Sequence, residues 1–171
     1  EIFDGADPAA ADAEVFAQVR AATEGLALRA ATGDIGLLMA AVSGLDTSAA
    51  RKAALMRHIW RPRRFKALLD RFSGRVAPPP TRMALLAAED AFAQAGPDIG
   101  LRRREEVAAR IEALRIDAEF PPISERQVAL IDAILAVRET LPNALERLRD
   151  IAIDMPSISP VVDGLAARAS A

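Results

Sequence analysis

Proline and glycine divide this chain into short segments with helical periodicity, and that division is the strongest constraint on its fold. The 171 residues include 11 prolines and 9 glycines. Proline disfavours helix at the residue before it, and glycine commonly follows the last helical residue. Between these breaks apolar residues recur three and four positions apart, which predicts amphipathic helices of about 10 to 17 residues. Short helices of this kind are typical of a globular helical bundle.

Capping residues indicate where the predicted helices begin. Asp7 and Pro8 suit the N-cap and first helical positions. Ser124 and Gln127 have the spacing of a capping box. Thr81 is predicted to cap one further helix, which runs to about residue 95 and is closed by glycine and proline. The remaining helices are predicted to begin at Asp34, at Thr47 or Ser48, after Pro62, at Leu101, at Pro142 and at Ser159-Pro160.

The stretch TGDIGLLMAAVSGL, residues 32–45, could be a phosphate-binding junction or a structural corner. Before it, Leu26 and Leu28 lie in a weak period-2 pattern that predicts a short strand near 26–33. Strand-glycine-helix junctions bind phosphate in many proteins, but this one lacks the lysine and the third glycine of the known motifs. The favoured interpretation is a corner in which Asp34 caps the helix and Gly36 permits close packing.

The segment VAPPP, residues 76–80, predicts a stiff, polyproline-like linker. It separates residues 1–75, which carry the predicted strand and several helices, from residues 81–171, which read as helix throughout. The predicted fold is therefore mainly α, a helical bundle with one short β element.

The composition excludes several classes of site. Apolar residues make up 51% of the chain but aromatic residues only 4%, and alanine and leucine favour packed helices over a β-sandwich. The absence of cysteine excludes disulfides and thiolate sites. No apolar run is long enough to predict a membrane span. The net charge of −2 provides no global attraction to nucleic acid or to an anionic membrane.

The titratable residues do not form a recognisable catalytic or metal-binding pattern. His58 is the only histidine, and no acidic residue lies at ligand spacing from it. Adjacent acids such as Glu89 and Asp90 point to different faces of a helix. The sequence therefore predicts no autonomous catalytic site, no metal and no cofactor.

The stretch 51–66 contains seven basic residues and no acidic residue. One interpretation is an electropositive surface for phosphate, RNA or an acidic partner, with Trp60 and Phe65 as stacking groups. The other is the solvated face of two amphipathic helices whose apolar residues point inward. The candidate surface residues are Arg57, Arg61, Arg63, Arg64 and Lys66.

Two pairs of segments resemble a known family. GADPAAADAEVFAQVRAATEGL and LALRAATGDIGLLMAAVSGL resemble the core of class II histidyl-tRNA synthetase relatives. RHIWRPRRFKALLDRFSG and GLRRREEVAARIEAL are similar to the regulatory subunits of ATP phosphoribosyltransferase, which are synthetase-like paralogues without aminoacylation activity. The resemblance covers most of the chain.

The resemblance implies a function that composition and periodicity do not. It implies a non-catalytic regulatory subunit in histidine biosynthesis, part of a class II α+β core and of a cytoplasmic hetero-oligomer. Its partner would be the short catalytic phosphoribosyltransferase, whose activity and histidine feedback depend on it. Glu1 would fall at a histidine-pocket position, and histidine would be the effector.

Two alternatives remain from the sequence. One is a fragment of a true histidyl-tRNA synthetase whose helical insertion contacts tRNA, although an NPLRILD-type segment is missing. The other is a helical nucleic-acid-binding module, against which the net charge counts. A chain that begins at Glu1 within an apolar stretch is expected to be a piece of a longer protein. Leu26 and Leu28 are then expected to be more exposed than in that protein.

Overall fold

The computed structural model describes residues 6–28, 31, 33–93, 95–96, 100 and 102–170. Within these ranges the chain is mainly helical, which confirms the predicted class. The helices are α1 (Pro8–Ala22), α2 (Ile35–Ser43), α3 (Ala49–Arg57), α4 (Pro62–Phe72), α5 (Pro80–Ala87), α6 (Arg104–Glu119), α7 (Glu125–Ala136), α8 (Leu141–Asp154) and α9 (Ser159–Ser170). A 3-10 turn, Pro156–Ile158, joins α8 to α9.

Three of the predicted helix starts are confirmed by capping contacts. Asp7 and Ser48 each accept a hydrogen bond from the backbone N–H three residues later, at 3.1 and 3.2 Å. Ser124 likewise accepts from the backbone nitrogen of Gln127 at 3.3 Å. The Gln127 side chain instead accepts from the backbone nitrogen of Asp46 at 3.4 Å, so among the described contacts only one of the two bonds of the predicted capping box is formed. Local capping residues therefore set these helix boundaries, as expected from their chemistry.

The helix predicted over 81–95 is wrong at both ends. The helix α5 begins at Pro80, because proline suits the first helical turn, so Thr81 lies inside the helix and does not cap it. The helix ends at Ala87. Arg115 of α6 donates hydrogen bonds to the carbonyl oxygens of Leu86 and Ala88, at 3.3 and 2.6 Å. These bonds satisfy two terminal carbonyls that would otherwise need a cap or water.

The strand predicted near 26–33 is not found among the described residues of that segment, which are 26–28, 31 and 33. A strand requires a neighbour for its backbone hydrogen bonds, and none of the described segments forms one. Residues 29, 30 and 32 lie outside the described residues. Leu26 and Leu28 are 63% and 67% exposed, as expected for this chain, and their burial in a longer protein stays a prediction.

The described residues form two compact units. The first comprises residues 1–44 and 129–171. In it α9 packs against α1, α2 and α8, and the 3-10 turn contacts α2, α8 and α9. Its buried apolar side chains include Leu38, Val42, Ile131, Leu145, Leu148, Ile158 and Val162.

The corner before α2 is held by one aspartate with two roles. The Asp34 carboxylate accepts a hydrogen bond from the backbone nitrogen of Gly36 at 2.7 Å. The same carboxylate forms a salt bridge with Arg168 of α9, whose guanidinium also lies 3.7 Å from Asp12 of α1. A Cβ added at Gly36 would lie 2.8 Å from the Asp34 oxygen. Both predicted roles, Asp34 as cap and Gly36 as the residue that permits close packing, are confirmed.

Asp34→Ala is expected to lower the free energy of unfolding by about 1–2 kcal/mol, because it removes the N-cap acceptor and the Arg168 salt bridge together. Asp34→Asn retains the cap acceptor and should lose less than half as much. Urea denaturation of the two variants measures the difference. Equal losses in both would show that the salt bridge, not the cap, stabilises this corner.

The second unit comprises residues 45–128. Here α3 packs on α4 and α5 packs on α6. The backbone nitrogen of Ile123 donates to the carbonyl oxygen of Phe72 at 3.0 Å. Residues from both sides of the linker 76–80 therefore bond to each other in this unit. The division of the chain into two parts at that linker stays a prediction for a longer protein. The buried side chains include Leu45, Leu55, Phe65, Leu69, Ile111, Ile123 and Val128.

Candidate functional site

The basic stretch forms the corner between α3 and α4. Successive turn bonds close the corner, the last from the backbone nitrogen of Arg61 to the carbonyl oxygen of His58 at 2.8 Å. Pro62 then opens α4, since its fixed φ suits the first helical turn. Ile59 and Phe65 are 7% and 2% exposed, so the corner is anchored by apolar side chains on its inner side.

The outer side of this corner combines one tryptophan with four arginines. Trp60 is 74% exposed, the most exposed aromatic side chain among the described residues. Four exposed arginines lie beside it in sequence, at the end of α3 and the start of α4. Within the ranges that the structure describes, none of their guanidinium groups lies within ion-pair distance of a carboxylate. We call this surface the Arg–Trp corner, and its members are Arg57, Trp60, Arg61, Arg63 and Arg64.

Two residues of the predicted surface are less available than the sequence indicated. The Lys66 ammonium lies 3.3 Å from the Asp70 carboxylate, one helical turn away, so part of its charge is neutralised. Phe65 is buried in the core of its unit, so the prediction that it stacks on a ligand is wrong. Because helix α4 is amphipathic, Phe65 belongs to its inner face while its neighbours point outward.

Arg51 begins the basic stretch but does not belong to its surface. Its side chain is 6% exposed. The Nε atom donates to the Asp117 carboxylate at 2.7 Å, and Nη1 donates to the carbonyl oxygen of Pro121 at 2.8 Å. The Nη2 atom donates to the carbonyl oxygens of Asp117 and Phe120, at 2.5 and 3.2 Å. Arg51 therefore connects α3 to the end of α6 and the loop that follows.

The other positions considered as sites form no catalytic or metal-binding cluster among the described residues. His58 is half-buried, and among the described residues its Nδ1 atom is buried without a hydrogen-bond partner. No group of three or more potential metal ligands occurs in the described part of the chain. Glu1, predicted at a histidine-pocket position, lies outside the described residues.

Arg71, Arg82 and Asp117 gather beside Arg51, and the sequence did not single out any of the three. They come from α4, α5 and α6, and the Arg82 and Asp117 side chains approach to 3.8 Å. A cluster assembled from separate helices leaves no local spacing signal. Only the excess of arginine over acidic residues in 51–82 could have indicated that some cations would be internal.

No family model, curated protein or solved structure matches this chain. The resemblance to the phosphoribosyltransferase regulatory subunits therefore rests on the sequence segments quoted above. In the described ranges, no helix is both long enough and apolar enough to cross a membrane.

Proposed function

We propose that this chain is part of a non-catalytic regulatory subunit that binds a catalytic protein through the Arg–Trp corner. The observation that carries the proposal is Trp60, exposed among four arginines that have no ion-pair partner in the described ranges. The sequence resemblance identifies the partner as the short catalytic ATP phosphoribosyltransferase. In this proposal the chain belongs to a synthetase-like α+β core, and the strand near 26–33 forms with strands of the longer protein.

The composition of the corner supports protein binding. Tryptophan and arginine are the residues most enriched among those that dominate binding energy at protein interfaces. An exposed indole ring gains free energy when a partner covers it, and its two side-chain torsions cost little entropy to fix. Trp60 follows the buried Ile59, and the backbone nitrogen atoms of Ile59 and Arg61 on either side of it donate turn hydrogen bonds, so its backbone is already ordered before binding.

The charges of the corner indicate an acidic partner surface. A guanidinium pairs with a carboxylate through two parallel hydrogen bonds, which fixes orientation as well as affinity. Arg63 and Arg64 lie in the first turn of α4, whose dipole also favours a negative partner. Arg57 lies in the last turn of α3, where the dipole favours its own positive charge. Arg63 and Arg64 are therefore stabilised more than Arg57 by an acidic partner.

Regulation in this proposal follows from linkage. Histidine bound to the complete synthetase-like protein, with Glu1 at its pocket, would favour one state of the hetero-oligomer over another. It does so only to the extent that its affinity for the two states differs. A subunit of a biosynthetic phosphoribosyltransferase is expected in the cytoplasm. No catalytic role is assigned to this chain.

RNA binding is the second candidate, because the same corner offers a ring for stacking and guanidinium groups for phosphates. It corresponds to a histidyl-tRNA synthetase fragment or to a helical nucleic-acid-binding module. RNA affinity that depends on phosphate contacts falls steeply with salt concentration. Protein binding centred on Trp60 should depend on salt much less.

The test uses the protein expressed from its complete reading frame, together with the short phosphoribosyltransferase from the same genome. The two are expected to co-elute in size-exclusion chromatography. Trp60→Ala should weaken the complex about tenfold or more, as for a residue at the centre of an interface. Arg63→Glu and Arg64→Glu together should have a similar effect by opposing the acidic partner.

Arg149→Glu, an exposed charge reversal on α8, serves as the matched control and should leave the complex unchanged. Transferase activity and its inhibition by histidine should be lost in parallel with the complex. No association with the transferase, together with salt-dependent tRNA binding that disappears on Arg61, Arg63 and Arg64 to Ala, would favour the RNA candidate instead.

A further inference from the structure

A cavity in the second unit lies between the end of α4, the proline-rich linker, α5 and the end of α6. Its volume is about 380 Å³. Small-molecule sites commonly enclose about 300–1,000 Å³. We call it the Arg71 cavity after one of the three arginines that line it.

The charges that line the Arg71 cavity are unbalanced. Arg51, Arg71 and Arg82 face it together with one acidic residue, Asp117. The Asp117 carboxylate bonds to Arg51 at 2.7 Å and lies 3.8 Å from Arg82. Throughout the described ranges, no hydrogen bond or ion pair reaches the Arg71 guanidinium. That group lies over the Phe72 ring, 5.1 Å from its centroid.

The surroundings of Arg71 disfavour its positive charge, and a bound anion would offset that effect. Burial lowers the pKa of the Arg71 guanidinium, repulsion from Arg82 lowers the pKa further, and the attraction of the Asp117 carboxylate opposes them without cancelling them. Burial and repulsion raise the free energy of the charged form, which arginine nevertheless retains at neutral pH. A bound oxyanion would offset the repulsion and supply the hydrogen-bond acceptors that Arg71 lacks.

The rest of the lining is apolar. It consists of Phe72, Pro78, Met83, Leu86, Ala87 and Ala118. Apolar walls with a few charged groups at one place are typical of sites for organic ligands. A hydrated inorganic ion would leave these walls without a partner, whereas a ligand with an apolar body would cover them.

We propose that the Arg71 cavity binds a small organic oxyanion, a carboxylate or a phosphate ester on an apolar body. The anionic group pairs with Arg71 and Arg82, and the apolar body lies against Phe72 and Met83. Arg51 is already committed to Asp117 and the neighbouring carbonyls, so it shapes the site without needing to bind the ligand. This inference does not depend on the Arg–Trp corner or on the proposed partner.

Isothermal titration calorimetry at low salt tests the proposal with four probes: phenyl phosphate, benzoate, benzamide and inorganic phosphate. At least one of the two aromatic anions should bind, and the stronger of the two identifies the phosphate or the carboxylate class. Benzamide, which has the ring without the charge, and inorganic phosphate, which has the charge without the ring, should bind about tenfold more weakly or not at all.

Arg71→Gln should weaken binding of the preferred anion about tenfold, the effect of losing a charge-assisted hydrogen bond in a partly enclosed site. Arg110→Gln, an exposed arginine on α6, is the matched control and should leave binding unchanged. If Arg71→Gln fails to fold by circular dichroism, Arg82→Gln replaces it with the same expected loss. Absence of binding at millimolar concentration, or equal binding by the Arg71 or Arg82 variant and the unchanged protein, overturns the proposal.

Discussion

Arg51→Met is expected to lower the free energy of unfolding by about 2–4 kcal/mol, because it removes the donors of several carbonyl oxygens and, among the described residues, leaves the Asp117 carboxylate with only the 3.8 Å contact to Arg82. The methionine side chain keeps much of the apolar volume of arginine but none of its donors. The Asp117 carboxylate then loses its 2.7 Å partner, and the carbonyl oxygens of Pro121 and Phe120 lose theirs. Urea denaturation followed by circular dichroism measures the loss.

Two further variants separate the charge from the packing. Arg51→Met combined with Asp117→Leu should recover part of the loss, because no carboxylate then remains without its 2.7 Å partner; the recovery is partial because Arg82 loses its contact with Asp117. Arg110→Met, at an exposed position of α6, should change stability by less than about 0.5 kcal/mol. A loss below about 1 kcal/mol for Arg51→Met would show that water replaces the missing donors and that this network does not hold the unit together.

Gly44→Ala is expected to cost about 1–3 kcal/mol, because the added methyl group cannot be accommodated without movement of its neighbour. Gly44 ends α2 against the 3-10 turn before α9. A Cβ built there would overlap the Ser157 Oγ atom and would lie 2.6 Å from the Ser157 Cβ atom. A rotation of the serine side chain relieves only the first overlap, so the backbone of the turn must shift. Thermal and urea denaturation both report the cost.

The Ser157→Gly background provides the decisive comparison. Removing the serine side chain eliminates both overlapping atoms, so Gly44→Ala should cost about 1 kcal/mol less in that background than in the unchanged protein. The Ser157 hydroxyl is buried without a hydrogen-bond partner among the described residues, so its loss removes no hydrogen bond from the turn in that part of the chain. An equal cost in both backgrounds would show that the effect of Gly44→Ala comes from the end of α2 itself.

The sequence predicts a feature well where the interaction is local. Asp7, Asp34 and Ser48 cap helices as expected, since each needs only a backbone N–H two or three residues away. The exposure of Arg57 and Arg63 also follows from helical periodicity, because both lie opposite the apolar side of their helices. The helical class and most of the helix boundaries were therefore predictable.

The tertiary structure determined the features that depend on residues far apart in the sequence. Arg51 and Arg57 belong to one basic stretch and one helix, yet only Arg51 is buried. The fold brings to Arg51 acceptors that lie 66 to 70 residues further along the chain. The early end of α5 likewise depends on Arg115, which reaches back 27 to 29 residues to its carbonyls. The sequence by itself determined the helices, their caps and their apolar sides, since these depend on neighbouring residues. Only packing determined which arginines remain available to bind, because a guanidinium is satisfied by whichever acceptors the fold brings to it.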